Sequence, residues 1–169
     1  MPYQVADISL ADQGRNQINW ALKHMPVLKG LMEEFARSKP FEGVRVSAVL
    51  HVTKETGVLM LALKAGGAEV WLAGSNPLST QDDVAAYLAN EGINVFAWRG
   101  ESQEEYYSCI ARVAEAKPDV VLDDGADLHA YLHGKGSKLA QNVWGGTEET
   151  TTGVIRLRSL EREGKLIYP

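Results

Sequence analysis

The feature that most restricts the fold of this chain is an alternation between two hydrophobic periods. Four short runs rich in β-branched and apolar residues, at 44–50, 69–72, 94–97 and 119–122, each lead into a segment of helical periodicity. The helices between them are expected at about 55–64, 81–90 and 101–116. Gly66-Gly67, Gly92 and Lys117-Pro118 punctuate them, since glycine tolerates the left-handed cap and proline cannot continue a helix. Ahead of the first strand, Ile18, Ala21, Leu22, Met25, Leu28, Leu31, Met32 and Phe35 recur at steps of three and four, which predicts a helix over 12–36. Pro26 lies inside that stripe and predicts a kink or a break into two helices. A fifth strand is expected around Val143-Trp144. A last helix is expected over 149–162, ended by Gly164, with Arg158, Arg162 and Lys165 towards its carboxyl end to complement the helix dipole. Strands alternating with helices imply right-handed crossovers. The fold class is therefore α/β, a doubly wound and mostly parallel sheet with helices on both faces.

A chain of 169 residues with 45% apolar side chains supports one domain with a real core. A net charge of −5 with that apolar content argues against disorder. The longest apolar run, Gly57-Val58-Leu59-Met60-Leu61-Ala62-Leu63, falls short of the ~18 residues that span a bilayer, so no membrane association is expected. The start, residues 1–7, has neither a basic flank nor an apolar stretch and reads as free of a leader peptide. Cys109 is the single cysteine, which excludes an internal disulfide or a multi-cysteine metal site and suits a reducing cytoplasm. A pI near 5.4 and the lack of a basic block make nucleic acid an improbable partner.

In open α/β sheets, ligands sit outside the carboxyl ends of the strands. The polar clusters of this chain fall there. The first strand delivers His51, Thr53 and Glu55; the second, Ser75-Asn76-Pro77-Leu78-Ser79-Thr80-Gln81-Asp82; the third, Trp98-Arg99-Gly100; the fourth, Asp123-Asp124-Gly125-Ala126-Asp127. Each has a purely structural reading beside the functional one. A histidine ending a strand is often a satisfied loop residue, and Ser79-Thr80-Gln81-Asp82 makes a good helix cap. Asp123-Asp124 is harder to dismiss, because adjacent carboxylates repel unless a cation, hydroxyls or a shared proton relieve them. Glu148-Glu149-Thr150-Thr151-Thr152-Gly153 is odd as a helix opening, since one threonine can cap but three β-branched residues are poor helix formers. Hydroxyls and amides at a helix start do suit anionic or polyhydroxyl ligands. Three other features carry little. Gly134-Lys135-Gly136-Ser137-Lys138 matches no phosphate-loop spacing. His129 and His133 lack a third ligand and read as surface histidines, so no metal is expected. Cys109, beside Ile110 and Val113, reads as an unreactive helix residue.

Six motifs together resemble S-adenosylhomocysteine hydrolase, over essentially the whole chain. They are Val5-Ala6-Asp7-Ile8-Ser9-Leu10-Ala11, His51-Val52-Thr53-Lys54-Glu55-Thr56, Ser75 through Asp83, Val95-Phe96-Ala97-Trp98-Arg99-Gly100-Glu101, Leu122-Asp123-Asp124-Gly125-Ala126-Asp127-Leu128 and Glu148-Glu149-Thr150-Thr151-Thr152-Gly153-Val154. Each is weak alone; six in order are specific. Ser75 stands where many relatives carry cysteine. The resemblance implies a Rossmann-like substrate-binding domain over residues 1–169, corresponding to the N-terminal part of the enzyme. The family's NAD-binding and C-terminal segments, with the catalytic lysine, have no counterpart among these residues. It implies reversible cleavage of S-adenosylhomocysteine to adenosine and homocysteine with NAD as the redox cofactor, in a cytoplasmic homotetramer. By motif position, His51, Asp124 and Glu149 are implied as catalytic. Thr53, Glu55, Gln81, Asp124 and Glu149 are implied as substrate contacts, and Thr150, Thr151 and Thr152 as NAD contacts. Glu55, a hydrogen-bond acceptor, fits the 6-amino donor of adenine better than a 6-oxo base. Three readings stay open here: the substrate domain of the hydrolase, inactive alone; a nucleoside-binding module without catalysis; and a folded piece with no function of its own.

Overall fold

The computed structural model describes residues 3–169. Met1 and Pro2, part of the stretch read above as free of a leader, lie outside the described residues. The long amphipathic stripe is divided, as Pro26 predicts, into α1 (Ala11–His24) and α2 (Pro26–Ser38). Met25, ahead of the proline, leaves the helical region (φ −122°, ψ 62°), which the proline ring demands of its predecessor. The alternation follows as β1 (Arg45–Leu50), α3 (Lys54–Ala65), β2 (Glu69–Gly74), α4 (Asp82–Asn90), β3 (Asn94–Phe96), α5 (Gln103–Ala114) and β4 (Val120–Asp123). The chain then forms α6 (Asp127–Leu132), β5 (Gly145–Glu148) and α7 (Thr151–Arg162).

All five strands are parallel, in the order β3-β2-β1-β4-β5. Successive strand residues point to opposite faces. Thus Val46, Ala48, Leu50 and Leu72 pack with Ile18, Val58, Val84 and Leu88 of α1, α3 and α4 on one face. Val49, Ala73, Phe96 and Val121 pack with Cys109, Ile110, Val113, Leu128 and Leu132 of α5 and α6 on the other. Each fully buried Leu or Ile of this kind contributes about 1.5–3 kcal/mol relative to exposure. At the amino ends of the strands, Arg45 grips Asp119 with Nη2 at 3.0 Å and Nε at 3.2 Å, and ties β1 to the entry of β4. Among the described residues no helix is long and apolar enough to cross a membrane.

Two elements differ from the sequence reading. The fifth strand lies not at Val143-Trp144 but just after it; Trp144 is exposed, and its N–H donates to Asp119 O at the strand's entry. Its glycines are poor strand formers, but Gly146 is needed because a Cβ there would collide with the His129 ring. The short α6 had no periodic signature at six residues, and starts from Ala126 in the left-handed region (φ 61°).

Other segments of the chain pair with both margins of the sheet. Gln4 N donates to Val95 O at 2.7 Å and Gln4 O accepts from Ala97 N at 3.1 Å, along the free side of β3. Beyond β5, Gly146 N donates to Pro169 O at 2.9 Å, and the neighbouring Tyr168 is buried.

Candidate active site at the carboxyl edge of the sheet

The chain runs outward from β1 through β2 to β3, then returns to the other side of β1 for β4. The crevice between the carboxyl ends of β1 and β4 is thus the topological switch point, where ligands of such sheets bind. Register sets what stands there. Val49 is level with Asp123, and Asp123 with Glu148, so Leu50 is followed by His51, Asp123 by Asp124 and Glu148 by Glu149 on three adjacent strands. His51 Nε2 lies 3.5 Å from Asp124 Oδ2. His51 and Glu149 are exposed, while the Asp124 side chain is largely covered. The three share one edge of the sheet, a ledge open to solvent at His51 and Glu149.

The far side of His51 is held as well. Its Nδ1 is 2.6 Å from Ser79 Oγ, and Ser79 Oγ is 3.1 Å from Asn76 O. This is a correction to the reading of Ser79-Thr80-Gln81-Asp82 as a cap. The N-cap of α4 is Gln81, without a side-chain cap bond, and the cluster braces its neighbours instead. Gln81 Oε1 accepts from Lys54 N at 2.9 Å, Asp82 Oδ1 from Arg99 N at 2.8 Å, and Pro77 O from Gly100 N at 2.7 Å. The loop after β2 therefore fixes the loops after β1 and β3.

Thr53 is the N-cap residue of α3, without a cap bond from its side chain, and Glu55 lies exposed in the first turn. Burial would raise the Glu55 carboxyl, but its own amide, the Thr53 hydroxyl and Lys54 outweigh that and hold it below the usual range. Lys54 Nζ is 3.4 Å from Glu55 Oε1.

Beneath the ledge lies a buried polar layer. Asp123, 1% exposed, accepts from Asp124 N at 2.9 Å and His129 N at 2.8 Å. Burial nevertheless pushes its carboxyl up to about 7, with Glu148 and Asp127 adding repulsion. Burial would also raise Glu148, yet it is held below the usual range. It accepts from Gly125 N, Ala126 N, Thr150 N and Thr150 Oγ at 2.7–2.9 Å. Glu148 thereby stitches the Asp124 loop to the Glu149 loop. Its neighbour Gly153 has no alternative side chain, because a Cβ would collide with this carboxylate.

His129 is 1% exposed, which overturns its reading as a surface residue. Burial lowers its pKa. The neutral ring's Nε2 meets Thr147 O at 3.2 Å and its Nδ1 meets the Tyr168 hydroxyl at 2.9 Å. A carbonyl can only accept, so Nε2 carries the proton and the Tyr168 hydroxyl donates to Nδ1. Asp123, His129 and Glu148 bring potential metal ligand atoms within 4.8 Å of one another. Asp123 and Glu148 accept from backbone amides and His129 Nδ1 from the Tyr168 hydroxyl, so the group also ties neighbouring segments together. Asp127 is used similarly, accepting from the Tyr106 hydroxyl at 2.9 Å and from Arg156 at 3.0 Å. Cys109 is buried, with its thiol pushed up to about 12 by burial, far from the reactive range.

Thr150 is the N-cap of α7; its hydroxyl accepts from Gly153 N at 2.9 Å and donates to Glu148. Thr151 and Thr152 are exposed at the start of that helix. The structure thus gathers His51, Asp124 and Glu149 at one edge and sets Thr53 and Glu55 at the head of the helix beside it. It turns Gln81 and Thr150 inward to structural partners. Glu148 and Ser79 escaped the sequence reading as individual residues because their partners are distant in the chain; only the motifs containing them were visible.

The family model described as S-adenosyl-L-homocysteine hydrolase matches residues 2–142. An adenosylhomocysteinase of Aeropyrum pernix is 61% identical over 99% of this chain and 40% of its own length. That of Sulfurisphaera tokodaii is 58% identical over the whole chain, again 40% of its own length. An S-inosyl-L-homocysteine hydrolase of Methanocaldococcus jannaschii is 51% identical over 99% of the chain. The chain spans about 40% of the length of these curated relatives. With a family model matching most of its residues and such identity end to end, the chain belongs to the S-adenosyl-L-homocysteine hydrolase family.

Proposed function

We propose that the ledge binds the adenosyl part of S-adenosylhomocysteine, and that the protein to which this chain belongs reversibly hydrolyses that thioether to adenosine and homocysteine. The observation that carries the reading is the approach of His51 Nε2 to Asp124 Oδ2 across the switch point. A histidine and a carboxylate in that relation move a proton between solvent and a reacting atom. In the net reaction the bond from the 5′ carbon to sulfur is replaced by one to a water oxygen. The proton that water loses reaches the departing thiolate, and His51, with Asp124, is the group we assign to carry it. Glu149, exposed and adjacent, accepts hydrogen bonds from the ribose hydroxyls. Thr53 and Glu55 meet the base.

NAD, when bound, supplies hydride exchange with the ribose. The exposed hydroxyls of Thr151 and Thr152 fit the polar edge of such a ligand, whereas that of Thr150 is already committed. The open ledge leaves substrate exposed to water, so we assign no turnover to these 169 residues by themselves; their main partner is the nucleoside. The same reading carries a cytoplasmic, homotetrameric whole protein, which light scattering on that protein tests.

Both adenosyl and inosyl enzymes stand among the relatives, so the base is the point to test. The Glu55 carboxylate accepts from a 6-amino group and leaves a 6-oxo group facing a charge. Adenosine is expected to bind at least ~10-fold more tightly than inosine in a calorimetric titration of the chain. In the whole protein, Asp124→Asn is expected to lower kcat by ~100-fold or more. Equal binding of both nucleosides would refute the Glu55 assignment. Hydrolysis by the chain alone with added NAD would refute its inactivity.

A further inference from the structure

We propose that Ser79 is a positioning residue that commits Nδ1 of His51 to donating a proton, and so makes Nε2 the nitrogen that gains and loses one. The role rests on the reading of His51 as an acid/base group, but the protonation pattern itself does not. Three contacts define it: His51 Nδ1 to Ser79 Oγ at 2.6 Å, Ser79 Oγ to Asn76 O at 3.1 Å and His51 Nε2 to Asp124 Oδ2 at 3.5 Å. The Asn76 carbonyl can only accept, and the Ser79 hydroxyl has a single hydrogen. Both Ser79 contacts are hydrogen bonds at once only if the hydroxyl donates to Asn76 O and accepts from Nδ1–H. The imidazolium satisfies all three contacts. Removing its proton from Nε2 gives up the 3.5 Å contact with Asp124 Oδ2 and keeps both shorter contacts of Ser79. Removing it from Nδ1 either places two lone pairs 2.6 Å apart or turns the hydroxyl away from Asn76. Deprotonation therefore falls on Nε2, which faces Asp124 and the ledge.

Ser79 is itself fixed, which gives the arrangement its rigidity. Its N–H also donates to Asn76 O at 3.2 Å, and Asn76 Oδ1 accepts from Leu78 N at 2.8 Å, closing a tight turn. Pro77 in that turn is held by Gly100 N from the loop after β3. The Ser75–Asp83 motif thus gains a chemical role for one residue beyond its bracing.

Nitrogen NMR on the ¹⁵N-histidine-labelled chain tests this, because protonated and unprotonated ring nitrogens resonate in separate ranges. The neutral ring of His51 is expected to be protonated at Nδ1 and bare at Nε2. Ser79→Thr, which keeps the hydroxyl, is expected to preserve that pattern. Ser79→Ala is expected to shift it towards the Nε2–H form that an unassisted imidazole prefers. A wild-type ring protonated at Nε2 would overturn the proposal, as would a pattern unchanged in Ser79→Ala. Should Ser79→Ala fail to fold, the wild type and Ser79→Thr still decide, since loss of Nδ1–H in either refutes it. Titrating adenosine into the same samples separates the two readings: absence of binding with Nδ1–H intact counts against the function, not against the role of Ser79 in fixing the ring.

Discussion

Asp123 shows how a single buried carboxyl tunes this molecule. Its two backbone amide partners stabilise the ionised form, but burial dominates and raises it to about 7. A carboxyl whose folded pKa lies above its unfolded value of 3.8 binds more protons in the native state between those pH values. Its contribution to stability is fully present at low pH and is lost as pH rises towards 7. Asp123→Asn removes the titration. The wild type is therefore expected to gain about 2–3 kcal/mol on the variant when denaturant unfolding is measured at pH 5 rather than pH 8. At this scale the sequence was legible in part. The pairing of Asp123 with Asp124 was recognisable as strained by charge, but not which carboxyl is buried. That is decided by strand register, which turns Asp123 inward beside His129 and leaves Asp124 to His51. His129 misled for the same reason, since a histidine four residues from another on a short helix says nothing about what covers it.

Among the elements, the two long N-terminal helices respond oppositely to the same change. Gly14 of α1 faces α4, and a Cβ there would overlap the Asp83 carbonyl, which as backbone cannot swing aside. Gly30 of α2 has no atom within 4 Å of that position. Gly14→Ala is expected to destabilise by about 2 kcal/mol or more. Gly30→Ala is expected to stabilise by about 0.5–1 kcal/mol, since alanine lowers the entropic cost of the helix. Thermal unfolding of both variants checks the pair. Elements with strong periodicity, from α1 through β4, were legible because apolar side chains at the correct spacing dictate them. The break at Pro26 was legible from the ring itself. The fifth strand and α6 were not. Gly145-Gly146 forms a strand to admit His129, and α6 is short enough that tertiary packing, rather than its own pattern, holds it.

For the molecule as a whole, the doubly wound plan converts a series of separate motifs into one edge. The carboxyl end of every strand was expected to be functional ground, and the switch point between β1 and β4 selects His51 and Asp124 from it. Strand order was the missing fact, because parallel strands joined by helices are read alike in several orders. The tail completes the fold at long range: Tyr168 is buried with its hydroxyl on His129. Tyr168→Phe is expected to cost about 1 kcal/mol and Tyr168→Ala about 3 kcal/mol, measured by chemical denaturation. The backbone pairing of Gln4 and of Pro169 has an effect on neighbours as well. A strand left bare invites another molecule to zip onto it, and here a segment of the same chain lies along each flank. Copies crowded together thus find less of a template for growing into ribbons, and displacing either segment would widen it.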